Sequence, residues 1–369
     1  MRILRLAAQD DKACRLRMTL LAVGGTCPLC SVVALRFEVD AQANHSRHLL
    51  GALMNTVTGI HHITCIAGDP QENVEFYTSV LGMRLVKKSV NQDVPDTYHL
   101  FYADGEAHPG ADLTFFPWPK MPPVQKGVGL AVEISLAIPA GSLEYWADRL
   151  ATNAVAVGER EVRHGERVLR LTDPHGLELA LVETKDEREF GPWTRSPVPA
   201  EHQIRGLHAV RLWERDLAHT AGFLVETLGF RLIGEERGWH RYGIGDGGSG
   251  RHLDIRAMPN ESRGSWGTGG VHHVAWRVPD DATELAVRER VAAAHRRPTE
   301  VIDRFWFKSV YFLEPGGVLF EIATDGPGFT VDEDLATLGE QLVLPPWLEP
   351  HRQEIESVLP VLRPFAGSV

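Results

Sequence analysis

The feature that most constrains this chain is an internal repeat. Four segments open with an apolar, strand-like run and pass within a few residues into a helix pattern. The runs are HHITCIAG from His61, AVEISLAI from Ala131, LHAVRLWE from Leu207 and HHVAWRVP from His272. The helix patterns that follow are PQENVEFYTSVLG, GSLEYWADRLATN, DLAHTAGFLVETLG and DATELAVRERVAAA. Gly82 and Gly229 stand where the first and third helices should stop, because glycine takes the left-handed conformation at little cost. Turn signals then precede further strands, as in TDPHG before LELALVE and LEPGG before VLFEIAT. The unit is β-α-β-β-β, and four copies predict an α+β fold of curved sheets with helices outside and a cavity within.

The repeat also sets the domain organisation. Units one and two are expected over residues 57–186, and units three and four over 204–326. The Pro- and charge-rich stretch at 187–203 reads as a linker, and 327–369 as a C-terminal tail. Residues 1–56 stand apart, with Cys14, Cys27 and Cys30 and an uncharged run between Arg17 and Arg36. That run is broken by Gly24, Gly25, Thr26 and Pro28, which argues against a signal peptide or an anchor. The Cys27-x-x-Cys30 pair lacks both a βα context and the second pair a zinc site needs. The expectation is an unstructured extension or an upstream start codon, with folding beginning near Met54.

Chemistry enters through the repeat as well. Aligning the first strands sets His62, Glu133, His208 and His273 at equivalent places. In the last unit, YFLEPGGVLFEIA predicts a hairpin around Pro315–Gly317 that sets Tyr311 opposite Glu321. Glu321 then lies in a buried apolar strand, where a carboxylate is costly unless paired or bound to metal. Its equivalent in the second unit is Ala180. Two first-strand histidines and one last-strand carboxylate form a facial 2-His-1-carboxylate set, the donor pattern of non-haem Fe(II) oxygenases. The candidates are His62, His273 and Glu321. Ligands drawn from units one and four require those two units to share a cavity, leaving units two and three to form the other.

These residues sit in motifs that resemble a known family. GIHHITCIAGDPQENVEFYTSVLGMRLVKKSVNQDVPDTYHLFYAD, PGADLTFFPWP, DPHGLELALVE, GVHHVAW and GGVLFE look like the vicinal oxygen chelate superfamily, which includes glyoxalases. Within it the chain is similar to the hydroquinone-type ring-cleaving dioxygenases, from about Val57 to about Asp334. The resemblance implies that His62, His273 and Glu321 hold Fe(II), with Mn(II) accepting the same donors. It implies a surrounding set of Thr64, Arg304, Tyr311, His61 and His272, with His272 as an acid-base partner. Strand alternation would turn His61 and His272 away from the metal, so their place there needs a twist of the strand start or an indirect role. The activity implied is extradiol-type cleavage of a para-dihydroxylated ring with O₂. A glyoxalase-like isomerase, a thiol transferase or a metal-free aromatic-binding protein are the rival readings. Glyoxalase-type sites bring two carboxylate-bearing last strands to one metal, and Ala180 speaks against that.

Composition serves to exclude partners. A net charge of −11 repels phosphate backbones and anionic lipid, so neither nucleic acid nor a membrane surface is expected. Four cysteines do not make a disulfide framework, which points to a reduced cytoplasmic setting. The partners expected are a small aromatic substrate, O₂ and, as for many enzymes, further copies of the chain.

Overall fold

The computed structural model describes residues 57–363; the readings made for residues 1–56 lie outside the described residues. Within it each repeat is a β-α-β-β-β module. The first holds β1 (Gly59–Ala67), α1 (Pro70–Glu75, continued by a π-helical turn over Phe76–Val80), β2 (Arg84–Val90), β3 (Tyr98–Ala103) and β4 (Asp112–Pro117). The second holds β5 (Leu130–Pro139), α2 (Leu143–Thr152), β6 (Val157–Arg163), β7 (Glu166–Thr172) and β8 (Glu178–Thr184). The third holds β9 (Gly206–Glu214), α3 (Leu217–Glu226), β10 (Phe230–Glu236), β11 (Trp239–Ile244) and β12 (His252–Ala257). The fourth holds β13 (Gly270–Val278), α4 (Asp281–Ala293), β14 (Ile302–Asp303), β15 (Lys308–Leu313) and β16 (Leu319–Thr324).

Local chemistry starts and stops these elements where the sequence asks. Asp69, Asp216 and Asp280 each place a carboxylate oxygen on the free amides of a first helical turn, which satisfies donors that the helix itself leaves unpaired. Gly82 and Gly229 take φ of +68° and +78° at the helix stops. In the β15–β16 turn a Cβ at Gly316 would lie 1.6 Å from a Glu214 carboxylate oxygen, so any larger residue there would have to displace the Glu214 side chain.

Two eight-stranded sheets result, in the orders β14-β15-β16-β13-β1-β4-β3-β2 and β10-β11-β12-β9-β5-β8-β7-β6. Modules one and four therefore share one half-barrel pair, and modules two and three the other, joined in each case at antiparallel first strands. Arg188 ties the two together, its guanidinium donating to the carbonyls of Leu207 and Gly110. Lys87 on β2 is fully buried, and its ammonium donates to the Phe329 carbonyl and to Asp332 and Glu333. Residues 329–333 are thereby pinned against β2, at the edge of the first sheet.

The register corrects one alignment. The β1–β13 seam pairs His62 with Ala275 and Thr64 with His273, and skips one residue on each strand, at His61 and at His272. The β5–β9 seam pairs Glu133 with Arg211 and Ser135 with Ala209, skipping Val132 and His208. His208 is thus the counterpart of His272, and Ala209 is the counterpart of His273. The physical reason is the extra residue of a β-bulge, which shifts inward-facing positions by one relative to simple counting.

Candidate metal centre

The pseudo-twofold axis of the first sheet brings His62, His273 and Glu321 together. Their imidazole Nε2 atoms are 3.2 Å apart, and the Glu321 Oε2 lies 3.3 Å from that of His62 and 2.9 Å from that of His273. All three side chains are buried. Among the described residues this is the one group of three or more histidine, cysteine or carboxylate side chains whose donor atoms converge closely enough to hold a metal ion. Glu321 Oε1 accepts a hydrogen bond from Ser309 Oγ at 2.5 Å, whereas Oε2 receives none of good geometry. A fully buried carboxylate oxygen without a donor, flanked by two imidazole nitrogens, fits a divalent transition metal of nitrogen and oxygen preference. Burial pushes the Glu321 carboxyl up, yet the facing His62 and His273 outweigh it and hold it well below the ordinary carboxylate range.

The two bulges explain how adjacent histidines serve one centre. His61 Nδ1 lies 2.9 Å from His62 Nδ1, and His272 Nδ1 lies 2.8 Å from His273 Nδ1. Burial pushes His61 and His272 each down to about 3, so both rings are neutral. A neutral ring can accept the Nδ1 proton of its neighbour, which leaves that neighbour's Nε2 lone pair facing the centre. Strand alternation alone would have turned both rings away; the extra residue restores contact. Phe307 packs on His61, and Trp266, Phe116 and Trp118 pack around His272.

A narrow cavity of about 40 Å³ opens beside His62 and His273, walled by Phe101, Phe116, Trp306 and Phe307. Arg304 and Tyr311 line it as well. Tyr311 pairs with Glu321 across the hairpin, as the turn count predicts. Arg304 lies over the Tyr311 ring at 5.5 Å and is clamped by both oxygens of Asp93, at 2.9 and 3.3 Å. Burial and the Glu321 charge push the Tyr311 hydroxyl up, so it stays protonated. Thr64 stands back from the cavity, its Oγ1 2.7 Å from Thr114 Oγ1. A wider groove of about 850 Å³ runs along α1, and among the described residues no cluster of metal-binding groups faces it.

Two residues escaped the sequence reading. His99 lines the cavity from β3, between Phe101 and Phe116. Thr114 occupies the pseudo-twofold counterpart of Glu321, since Thr64 pairs with Thr114 as Ala275 pairs with Glu321. A second carboxylate for this centre would have to come from position 114, and Ala180 belongs to the other sheet. There the counterparts of the converging set are Glu133, Ala209, Ala180 and Asp254. Glu133 is ion-paired to Arg163, Arg170 and Arg211, and Asp254 to Arg211 and Arg241. Arginines neutralise in that sheet what a metal could neutralise in the first.

The sequence profile of the Glyoxalase/Bleomycin resistance protein/Dioxygenase superfamily matches residues 59–181 and 206–322, and the chain belongs to that superfamily. Similarity over 82% of the chain is to enzymes named for ring cleavage. MhqO of Bacillus subtilis (strain 168), provisionally named a ring-cleaving dioxygenase, is 42% identical over 301 residues, 82% of this chain and 95% of the relative. A chlorohydroquinone/hydroquinone 1,2-dioxygenase of Sphingobium indicum is 32% identical over 312 residues, 82% of this chain and 96% of that one. The crystal structure of a provisionally named B. subtilis dioxygenase matches with a TM-score of 0.80 at 39% identity, covering 84% of this chain and 98% of the other. Glyoxalase I from Zea mays, at 16% identity and a TM-score of 0.55 over 72% of this chain and 92% of its own, shares the fold alone. No described helix is long and apolar enough to cross a membrane.

Proposed function

We propose that the chain is an Fe(II)-dependent, extradiol-type dioxygenase that opens the ring of a hydroquinone-like aromatic with O₂. The observation that carries the reading is the buried convergence of His62, His273 and Glu321 beside an aromatic-walled cavity. Similarity over 82% of the chain to a chlorohydroquinone/hydroquinone 1,2-dioxygenase supports the substrate class. In this reading the three side chains hold the metal, with Mn(II) as the alternative ion. Fe(II) bound there supplies electron transfer between an aromatic hydroxyl group and O₂, the chemistry that lets a ring bond open.

The chain's own residues bind, orient and shield. Phe101, Phe116, Trp306 and Phe307 give the substrate ring apolar faces and exclude water, which strengthens every electrostatic contact inside. Arg304, fixed by Asp93, presents a permanent positive charge to negative charge that develops on substrate oxygen. Tyr311 keeps its proton at neutral pH and so acts as a hydrogen-bond donor. His61 and His272 set the tautomers of His62 and His273, so the geometry favours a positioning role for His272 over proton transfer to substrate. Thr114 in place of a second carboxylate argues against the glyoxalase-like alternative. Oxygen uptake on adding hydroquinone to anaerobically Fe(II)-loaded protein tests the reading, with catechol and metal-free protein as controls. Iron-dependent uptake well above autoxidation is expected; none from iron-loaded protein across the panel would overturn it.

A further inference from the structure

The pseudo-twofold axis relates two polar pairs across the candidate centre. In module four, Ser309 on β15 donates to Glu321 on β16. In module one, pairing of Phe101 with Thr114 matches pairing of Tyr311 with Glu321, so His99, two residues before Phe101, falls at the position of Ser309. His99 Nε2 lies 2.9 Å from Thr114 Oγ1, which in turn is 2.7 Å from Thr64 Oγ1. The contact is conserved by the symmetry, but its purpose has changed. Ser309 anchors a carboxylate that faces the metal position, whereas Thr114 and Thr64 anchor an imidazole that faces the cavity.

Three features fix that imidazole as a recognition group. Its ring is held between Phe101 and Phe116, with centroids 3.9 and 4.4 Å away. Its Nε2 is committed to Thr114, 2.9 Å away, which leaves Nδ1 as the ring's other polar atom. The side chain is one of those lining the cavity, together with His62, His273 and Tyr311. The second nitrogen of an otherwise immobilised ring, in a cavity that Phe101, Phe116, Trp306 and Phe307 wall alongside polar side chains, is a ready partner for a polar group of the ligand. We propose that His99 is a further specificity-determining residue, whose Nδ1 binds the ring hydroxyl that the metal does not take. The inference rests on the hydroquinone reading and names the residue that tells a dihydric ring from a monohydric one. Leaving a buried polar group unpaired is costly, so a site built this way rejects the analogue that lacks the hydroxyl.

The test is anaerobic calorimetry on Mn(II)-loaded protein, which reads binding without turnover, using hydroquinone and phenol. Wild type should bind hydroquinone at least tenfold more tightly. His99→Gln keeps a polar atom near Thr114 but removes Nδ1, and should lose that preference with metal content unchanged. His99→Asn places an amide near the Nδ1 position and should retain most of it. Thr114→Val frees the ring and should weaken hydroquinone binding several-fold, which covers the case of a His99 variant that does not fold. Equal binding of the two phenols by wild type would overturn the proposal, as would an unchanged preference in His99→Gln. A preference that depends on His99 in a protein that consumes no O₂ with hydroquinone would leave this assignment standing and overturn the dioxygenase reading instead.

Discussion

Replacing His61 by leucine tests how the candidate centre is built. His61 Nδ1 lies 2.9 Å from His62 Nδ1 and is buried with it. Leucine fills much of the ring's volume against Phe307 but cannot accept a hydrogen bond. The Nδ1 proton of His62 is then buried without a partner at a cost of about 1–3 kcal/mol. Alternatively the ring moves its proton to Nε2 and no longer offers a lone pair. Either route should lower metal affinity about 10–100-fold, the range found when a partner of a ligating histidine is lost. Competition for Mn(II) against a chelating dye, with folding checked by circular dichroism, measures the loss directly. His61→Asn keeps an acceptor and should recover most of it, and His272→Leu should match His61→Leu because the 2.8 Å contact there is its symmetry mate. A folded His61→Leu protein that binds Mn(II) within threefold of wild type would refute the reasoning.

Other outcomes follow from the same geometry. Glu321→Ala removes the carboxylate donor and should abolish retention of stoichiometric iron through dialysis, as read by elemental analysis. Tyr311→Phe should keep its iron and lower kcat about a hundredfold, the scale of losing one preorganised donor; unchanged oxygen-uptake kinetics would take Tyr311 out of the chemistry. Glu214 is buried beside Glu314, and burial followed by that neighbouring carboxylate pushes it up to about 9 from an ordinary 4.5. With the folded value above the unfolded one, its contribution to stability is complete below pH 4.5 and drains away as pH rises towards 9. Glu214→Gln should therefore raise Tm relative to wild type by an increment that grows from pH 5 to pH 9, and a pH-independent increment in thermal melts would contradict this.

Much of the fold was legible because the repeat is carried by local signals. Aspartate caps, glycine stops and Pro-Gly-Gly turns act over a few residues, and the converging set followed from knowing which strands are equivalent. The Tyr311–Glu321 pairing could be counted because a short turn fixes the register of its hairpin. Bulges were not legible. They add one residue without a marker in the sequence, so His208 was matched to His273 where Ala209 belongs. The same bulges place His61 and His272 beside their neighbours, which alternation forbids. His99 went unnoticed because its counterpart is a serine, and only the register of β3 against β4 shows that the two do the same job. Ala180 was read as evidence about the wrong cavity; Thr114 is the residue that bears on this one.

The most direct test of the central claim is the mass of the product formed from hydroquinone by Fe(II)-loaded protein under O₂. Ring opening by a dioxygenase predicts a product heavier than the substrate by two oxygen atoms, absent from metal-free protein and from Glu321→Ala. Quinone, lighter than the substrate by two hydrogens, or unconsumed hydroquinone from protein shown to hold its iron, would contradict the account.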